Sequence, residues 1–147
     1  MSAQELVKLC TRKKRTIASC ESLTAGLFSA EIASVPGASK VLKGGIVTYF
    51  TEIKEKVVGV DTEVISKYGV VSKECADQMA QKTRELLESD YCVSFTGNAG
   101  PDTMEEKPAG LVYCSIASKK GVKNFKLFLE HKSRNEVRKE AVEIMIQ

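Results

Sequence analysis

A chain of 147 residues, 43% hydrophobic and 28% charged, is long enough for one globular domain with a real core. Its net charge of +3 is spread along the chain, and no basic stripe with interleaved aromatics follows its one basic cluster, Arg12-Lys13-Lys14-Arg15, so a nucleic-acid partner is not expected. Five scattered cysteines with no C-x-x-C pair indicate neither a zinc ribbon nor a disulfide framework, and a single histidine, His131, excludes a multi-histidine metal site.

In chain order, apolar spacing predicts a first helix over residues 2–14, with the basic cluster complementing its dipole. Residues 16–20 read as a buried strand and residues 23–34 as a helix. Where the two meet stand Glu21, Ser22 and Thr24, either a helix cap or an active serine at the end of a strand. Pro36-Gly37 marks a loop, and residues 44–50 a second strand rich in β-branched and aromatic residues. Residues 52–58 predict a short helix ending at Gly59, and Asp61 or Thr62 caps another that runs to Tyr68 and closes at Gly69. Ser72 caps a long helix over 73–88. A third strand ends at Thr96-Gly97, and the stretch from Asn98 to Gly110 is too rich in Gly, Pro and acid to be regular. Two strands flank a Lys119-Lys120-Gly121 hairpin turn, and Ser133 or Asn135 opens the last helix.

This order implies an α/β domain spanning residues 1–147, with helices on both faces of a mixed five-stranded sheet. The scattered cysteines suit small core positions in a reducing cytoplasm, and no stretch approaches membrane-spanning length, so a cytoplasmic protein without a membrane partner is expected.

Ligands of open α/β sheets gather at the carboxyl ends of the strands, where three unusual stretches fall. They are Glu21-Ser22-Leu23-Thr24-Ala25-Gly26, then Thr48-Tyr49-Phe50-Thr51-Glu52-Ile53-Lys54, then Thr96-Gly97-Asn98-Ala99-Gly100-Pro101. Each alone has an ordinary explanation as a cap, a strand aromatic or a turn. Together they offer backbone N–H groups to a phosphate and a serine beside a lysine or tyrosine that can act as its base.

These stretches resemble the C-terminal domain of the competence/damage-inducible CinA family and its stand-alone relatives, the nicotinamide-mononucleotide deamidases. The family's A-E-S-C-T-G-G is matched by Cys20-Glu21-Ser22-Leu23-Thr24-Ala25-Gly26, and its G-x-V-x-Y-S-N-E-x-K by Gly45 to Lys54. Its T-G-I-A-G-P and K-P-V-G are matched by Thr96 to Pro101 and by Lys107 to Gly110, and its G-D-R-x-x-V-R by Lys132 to Arg138. The resemblance implies a three-layer α/β/α sandwich with a mixed, mostly parallel five-stranded sheet. It implies Ser22 as nucleophile with Tyr49 and Lys54, no metal or other cofactor, and self-association. It also implies nucleotide contacts from Thr24, Gly26, Thr96, Gly97, Asn98, Ala99, Gly100 and Arg134. The implied reaction turns nicotinamide mononucleotide and water into nicotinic acid mononucleotide and ammonia.

Several positions depart from the family pattern. Ala25 stands where the family has glycine, and a Cβ there is expected to crowd a phosphate or oppose a positive φ. Leu23, Phe50-Thr51, Asn98 and Ser133 also differ. The rival these departures suggest is a nucleotide-binding module that kept the fold and lost turnover. A purely structural protein would not account for three polar, glycine-containing loops on one sheet edge.

Overall fold

The computed structural model describes residues 1–146. Helix α1 (Ala3–Lys13) starts where Ser2 Oγ accepts the Glu5 N–H at 3.1 Å, and it stops where Lys14 turns left-handed. Strand β1 (Ile17–Glu21) is buried along its whole length. Helix α2 (Leu27–Ala33) begins later than the expected residue 23, because Ser22 to Gly26 form a turn in which Ala25 and Gly26 take positive φ. Strand β2 (Leu42–Val47) lies earlier than its expected span of 44–50, since its Leu42 pairs with Ile17 at the start of β1. Its pairing ends at Val47, and Tyr49 and Phe50 lie beyond it.

The expected 52–58 helix is α3 (Thr51–Ile53) running into a π-helical turn, Lys54–Val58, closed by left-handed Gly59. Helix α4 (Thr62–Tyr68) is capped by Asp61, and α5 (Lys73–Leu87) by Ser72, whose Oγ accepts the Cys75 N–H at 3.1 Å. Strands β3 (Tyr91–Gly97), β4 (Leu111–Ser118) and β5 (Gly121–Phe128) follow, and helix α6 (Arg134–Ile146) completes the described chain. Ser133 opens α6 in a capping box, its N–H donating to Glu136 Oε1 at 2.9 Å and its Oγ accepting the Glu136 N–H at 3.4 Å.

The sheet order is β2-β1-β3-β4-β5. Strand β1 is parallel to both β2 and β3, while β4 is antiparallel to β3 and β5. Four strands therefore share one direction and β4 alone opposes them, which is the mixed, mostly parallel sheet expected. Because β5 runs with β1 to β3, the chain enters α6 at the same edge at which the first three strands end.

Alternation along the strands feeds a core on each face. Val7, Cys10, Phe28, Ile32, Val137 and Val142 from α1, α2 and α6 pack on one face with Val93 and Phe95. On the other, Cys75 and Met79 of α5 pack with Cys20, Val58 and Val71. All five cysteines are free and buried. No described helix is long and apolar enough to cross a membrane.

Candidate active site

At the carboxyl edge of β1 and β2, Lys54 Nζ donates to Ser22 Oγ at 3.0 Å and to the Thr48 carbonyl oxygen at 2.6 Å. The π-helical turn aims this lysine inward, where it is 1% exposed, while Ser22 is 9% exposed. Burial lowers the Lys54 pKa from its ordinary value. Nearby Cys75, itself pushed up to about 12 by burial, stays neutral near neutrality, as does the similarly raised Cys20. The opposing influence of real charge therefore falls to Glu105, which favours the protonated lysine. Among the described residues no carboxylate forms an ion pair with Lys54. Val57 of the same turn is 49% exposed, whereas the buried Cys20 and Cys75 lie close to the lysine.

The helix cap in this motif falls to Glu21. The buried Glu21 carboxylate accepts the Phe28 N–H at 2.9 Å, the Ser29 N–H at 3.2 Å and the Ser19 hydroxyl at 3.0 Å, and so caps α2. Ser22 is left free of capping, its N–H tied to the Phe95 carbonyl oxygen at 2.9 Å. Ala25 adopts φ 47° despite its Cβ, at a cost of about 1–2 kcal/mol. Gly26, at φ 97°, makes the same left-handed step without that cost and starts α2. Thr24 is fully buried, and its Oγ1 has no partner among the described residues.

The third loop is built largely by its own polar groups. Thr96 Oγ1 donates to the Val70 carbonyl oxygen at 2.7 Å, so its hydroxyl faces the turn before α5. Gly97 lets β4 approach, because a Cβ there would overlap the Leu111 carbonyl oxygen. Asn98 Nδ2 donates to the carbonyl oxygens of Met104 and Lys107 at 3.2 and 3.0 Å, and its Oδ1 accepts the Met104 N–H at 3.2 Å. Its amide therefore staples the loop. Glu105, which sequence reasoning did not single out, and Lys107, which it quoted only within a matched motif, fasten the same loop to the turn before α5. Glu105 accepts the N–H groups of Val70 and Val71 at 2.7 and 2.9 Å, and Lys107 Nζ donates to the Val71 carbonyl oxygen.

Ser22, Tyr49, Gly97, Asn98, Ala99 and Arg134 line one cleft of about 240 Å³, walled further by Asp102, Thr103 and Met104. Arg134 crosses its mouth, donating to the Gly100 carbonyl oxygen at 2.8 Å and to the Tyr49 hydroxyl. Tyr49, half exposed, thus pairs with Arg134, and no hydrogen bond joins it to Lys54. With Ser133 serving as the α6 cap, the partners that orient Arg134 are Gly100 and Tyr49. Lys54, Thr24, Gly26, Thr96 and Gly100 stand behind the lining and do not form it. A larger surface cleft of about 610 Å³ beside α1 shares no residue with this set and holds no nucleophile paired with a base. Among the described residues no group of three or more His, Cys, Asp and Glu side chains stands together as a metal site.

Fold and cleft define an α/β domain with a buried serine–lysine pair at the carboxyl edge of its parallel strands. The family model described as the CinA C-terminal domain matches residues 1–147, and the chain belongs to that family. A competence-damage inducible protein of Listeria welshimeri is 43% identical over 139 residues, which cover 95% of this chain and 34% of the relative. One from Streptococcus agalactiae is 43% identical over 136 residues, covering 92% of this chain and 32% of the relative. The chain thus spans about a third of the length of these curated relatives. Among solved structures, the competence/damage inducible protein CihA of Agrobacterium tumefaciens superposes with a TM-score of 0.94 at 30% identity, covering 98% of this chain and 88% of that one. A CinA superfamily protein of Escherichia coli has the same fold, with a TM-score of 0.94 at 23% identity over 98% of this chain and 84% of that one.

Proposed function

We propose that this chain is an amidohydrolase that converts nicotinamide mononucleotide and water to nicotinic acid mononucleotide and ammonia. One observation carries the reading: a lysine 1% exposed, without an acidic partner among the described residues, stands 3.0 Å from a serine hydroxyl at the end of a cleft. Burying a cation without a counter-charge is expensive, and a site that had lost its chemistry would have no use for it. The same burial lowers the lysine pKa and so makes the neutral amine accessible.

Neutral Lys54 takes the Ser22 proton as Ser22 Oγ attacks the carboxamide carbon. The resulting oxyanion is held by backbone N–H groups beside Ser22 or in the Thr96 loop. As the C–N bond breaks, Lys54 returns its proton to the departing nitrogen and ammonia leaves. A water then attacks the acyl-serine ester, again losing its proton to Lys54. Lys54 passes that proton to Ser22 Oγ as the acyl C–O bond breaks, and the acid product leaves as its carboxylate, its own proton taken up by the released ammonia. Arg134 offers a planar fork to the nucleotide phosphate at the mouth, with Tyr49 holding it in place.

The test is ammonia release from nicotinamide mononucleotide by the purified protein, with and without a chelator. Turnover is expected in both, and Ser22→Ala is expected to lower it by several orders of magnitude while leaving ligand binding. Binding without ammonia release by the unaltered protein would establish the rival nucleotide-binding module instead.

A further inference from the structure

Helix α6 sends two arginines, one turn apart, to the carboxyl edge of the sheet. Arg134 reaches the mouth of the cleft. Arg138 has no part in the chemistry above, yet it grips the nucleophile turn. Its Nε donates to the Leu23 carbonyl oxygen at 2.8 Å and its Nη2 to the Thr24 carbonyl oxygen at 3.1 Å. The remaining Nη1 donates to Asn135 Oδ1 at 3.1 Å. Among the described residues Arg138 has no carboxylate partner, so its charge is directed at the two peptide units that follow Ser22.

That turn needs an external hold. Its own bonds run from the Ala25 N–H to the Ser22 carbonyl oxygen at 3.1 Å and from the Leu27 N–H to the Thr24 carbonyl oxygen at 3.0 Å. The Leu23 carbonyl has no other acceptor role among the described residues. Ala25 keeps a left-handed φ of 47°, a conformation that persists only where surrounding contacts over-determine it. A guanidinium suits the task, because its planar fork fixes the relative geometry of the two carbonyls it holds, whereas an ammonium on a flexible stem imposes no such geometry.

We propose that Arg138 is a positioning residue, which holds the strained turn so that Ser22 Oγ stays within reach of Lys54 Nζ. The proposal rests on Ser22 being the nucleophile, and not on the identity of the substrate. Misplacing a reacting group by about 1 Å costs on the order of 100-fold in rate. A tie that merely joined α6 to the domain would leave the reactivity of Ser22 untouched in any folded variant.

The experiment compares unaltered protein, Arg138→Lys and Arg138→Ala. It reads the rate of Ser22 labelling by a fluorophosphonate probe, mapped by peptide mass, together with kcat and KM for nicotinamide mononucleotide and the Tm. Arg138→Ala is expected to lose about 10- to 100-fold in labelling and in kcat, with KM within about twofold. Millimolar guanidinium is expected to restore part of both, and Arg138→Lys to fall between. Native labelling in folded Arg138→Ala, a change in KM alone, or a loss that guanidinium does not relieve would overturn the proposal. Should Arg138→Ala not fold, native Ser22 labelling in Arg138→Lys would overturn it equally. Unaltered protein that labels at Ser22 but releases no ammonia rejects the substrate and leaves the labelling comparison standing. Unaltered protein that takes no label at Ser22 overturns the proposal together with the serine mechanism.

Discussion

Lys54 sets up an exchange between stability and chemistry. Burial lowers its pKa below the ordinary 10.5, so between the lowered value and 10.5 the unfolded chain holds a proton that the folded protein lacks. Stability therefore rises with pH through that window, and below it the penalty of the buried cation is fully present. Lys54→Met is expected to abolish turnover and yet raise the Tm near neutral pH by about a few degrees, a gain that shrinks as the pH approaches 10.5. The rate should rise through one ionisation on the alkaline side, and Lys54→Arg should be inactive because guanidinium cannot take the serine's proton. An arginine variant with native turnover would make Lys54 a source of charge only. Thr24 supports a second prediction at this scale. Its hydroxyl is buried without a partner, so Thr24→Val should stabilise the fold by about 1 kcal/mol and leave KM within about twofold. A marked rise in KM would make the hydroxyl a substrate contact after all.

Among the elements, α2 depends on one carboxylate. It is a helix of seven residues, too short to hold itself together, and Glu21 supplies its N-terminal hydrogen bonds from the end of β1. Glu21→Ala should cost about 3 kcal/mol, read as a lower urea midpoint, because it strands the buried Phe28 N–H and removes the acceptor of the Ser29 N–H and the Ser19 hydroxyl. The turn bearing Ser22 hangs between this cap and β1, so activity should fall together with stability. If Glu21→Ala keeps a native urea midpoint, the cap is not what holds α2. Legibility was uneven at this scale. Ser72 and Asp61 announce their helices because the capping residue lies next to what it caps. The Glu21 cap lies six residues ahead of Leu27, so local pattern ran the helix back to residue 23.

Across the whole molecule, the shared direction of β1, β2, β3 and β5 delivers Ser22, Tyr49, the Asn98 loop and Arg134 to one edge. A ligand that bridges this edge should stabilise the entire domain. Nicotinic acid mononucleotide at 100 times its Kd is expected to add about 2.7 kcal/mol to unfolding, visible as a higher Tm. Arg134→Ala should remove most of that shift, since the phosphate would lose its fork, while the Tm without ligand changes little. An undiminished shift in Arg134→Ala would move phosphate recognition elsewhere in the cleft.

Hydrophobic periodicity, caps and turn residues determined by themselves the element order, the mixed sheet and the edge on which polar loops collect, because each signal acts over a few residues. The family resemblance also implied that Ser22, Tyr49 and Lys54 belong to one site before any distance was known. Only the tertiary structure decided how those side chains divide the work. Lys54 meets Ser22 because a π-helical turn after β2 rotates it inward, where burial lowers its pKa. Tyr49 turns outward to Arg134 because pairing in β2 stops at Val47 and the chain leaves the sheet before reaching it. Arg138 reaches Leu23 and Thr24 across more than a hundred residues because β5 runs with β1 and starts α6 beside the turn that bears Ser22. Such contacts depend on strand direction and register summed over the whole chain, and no local pattern carries that sum.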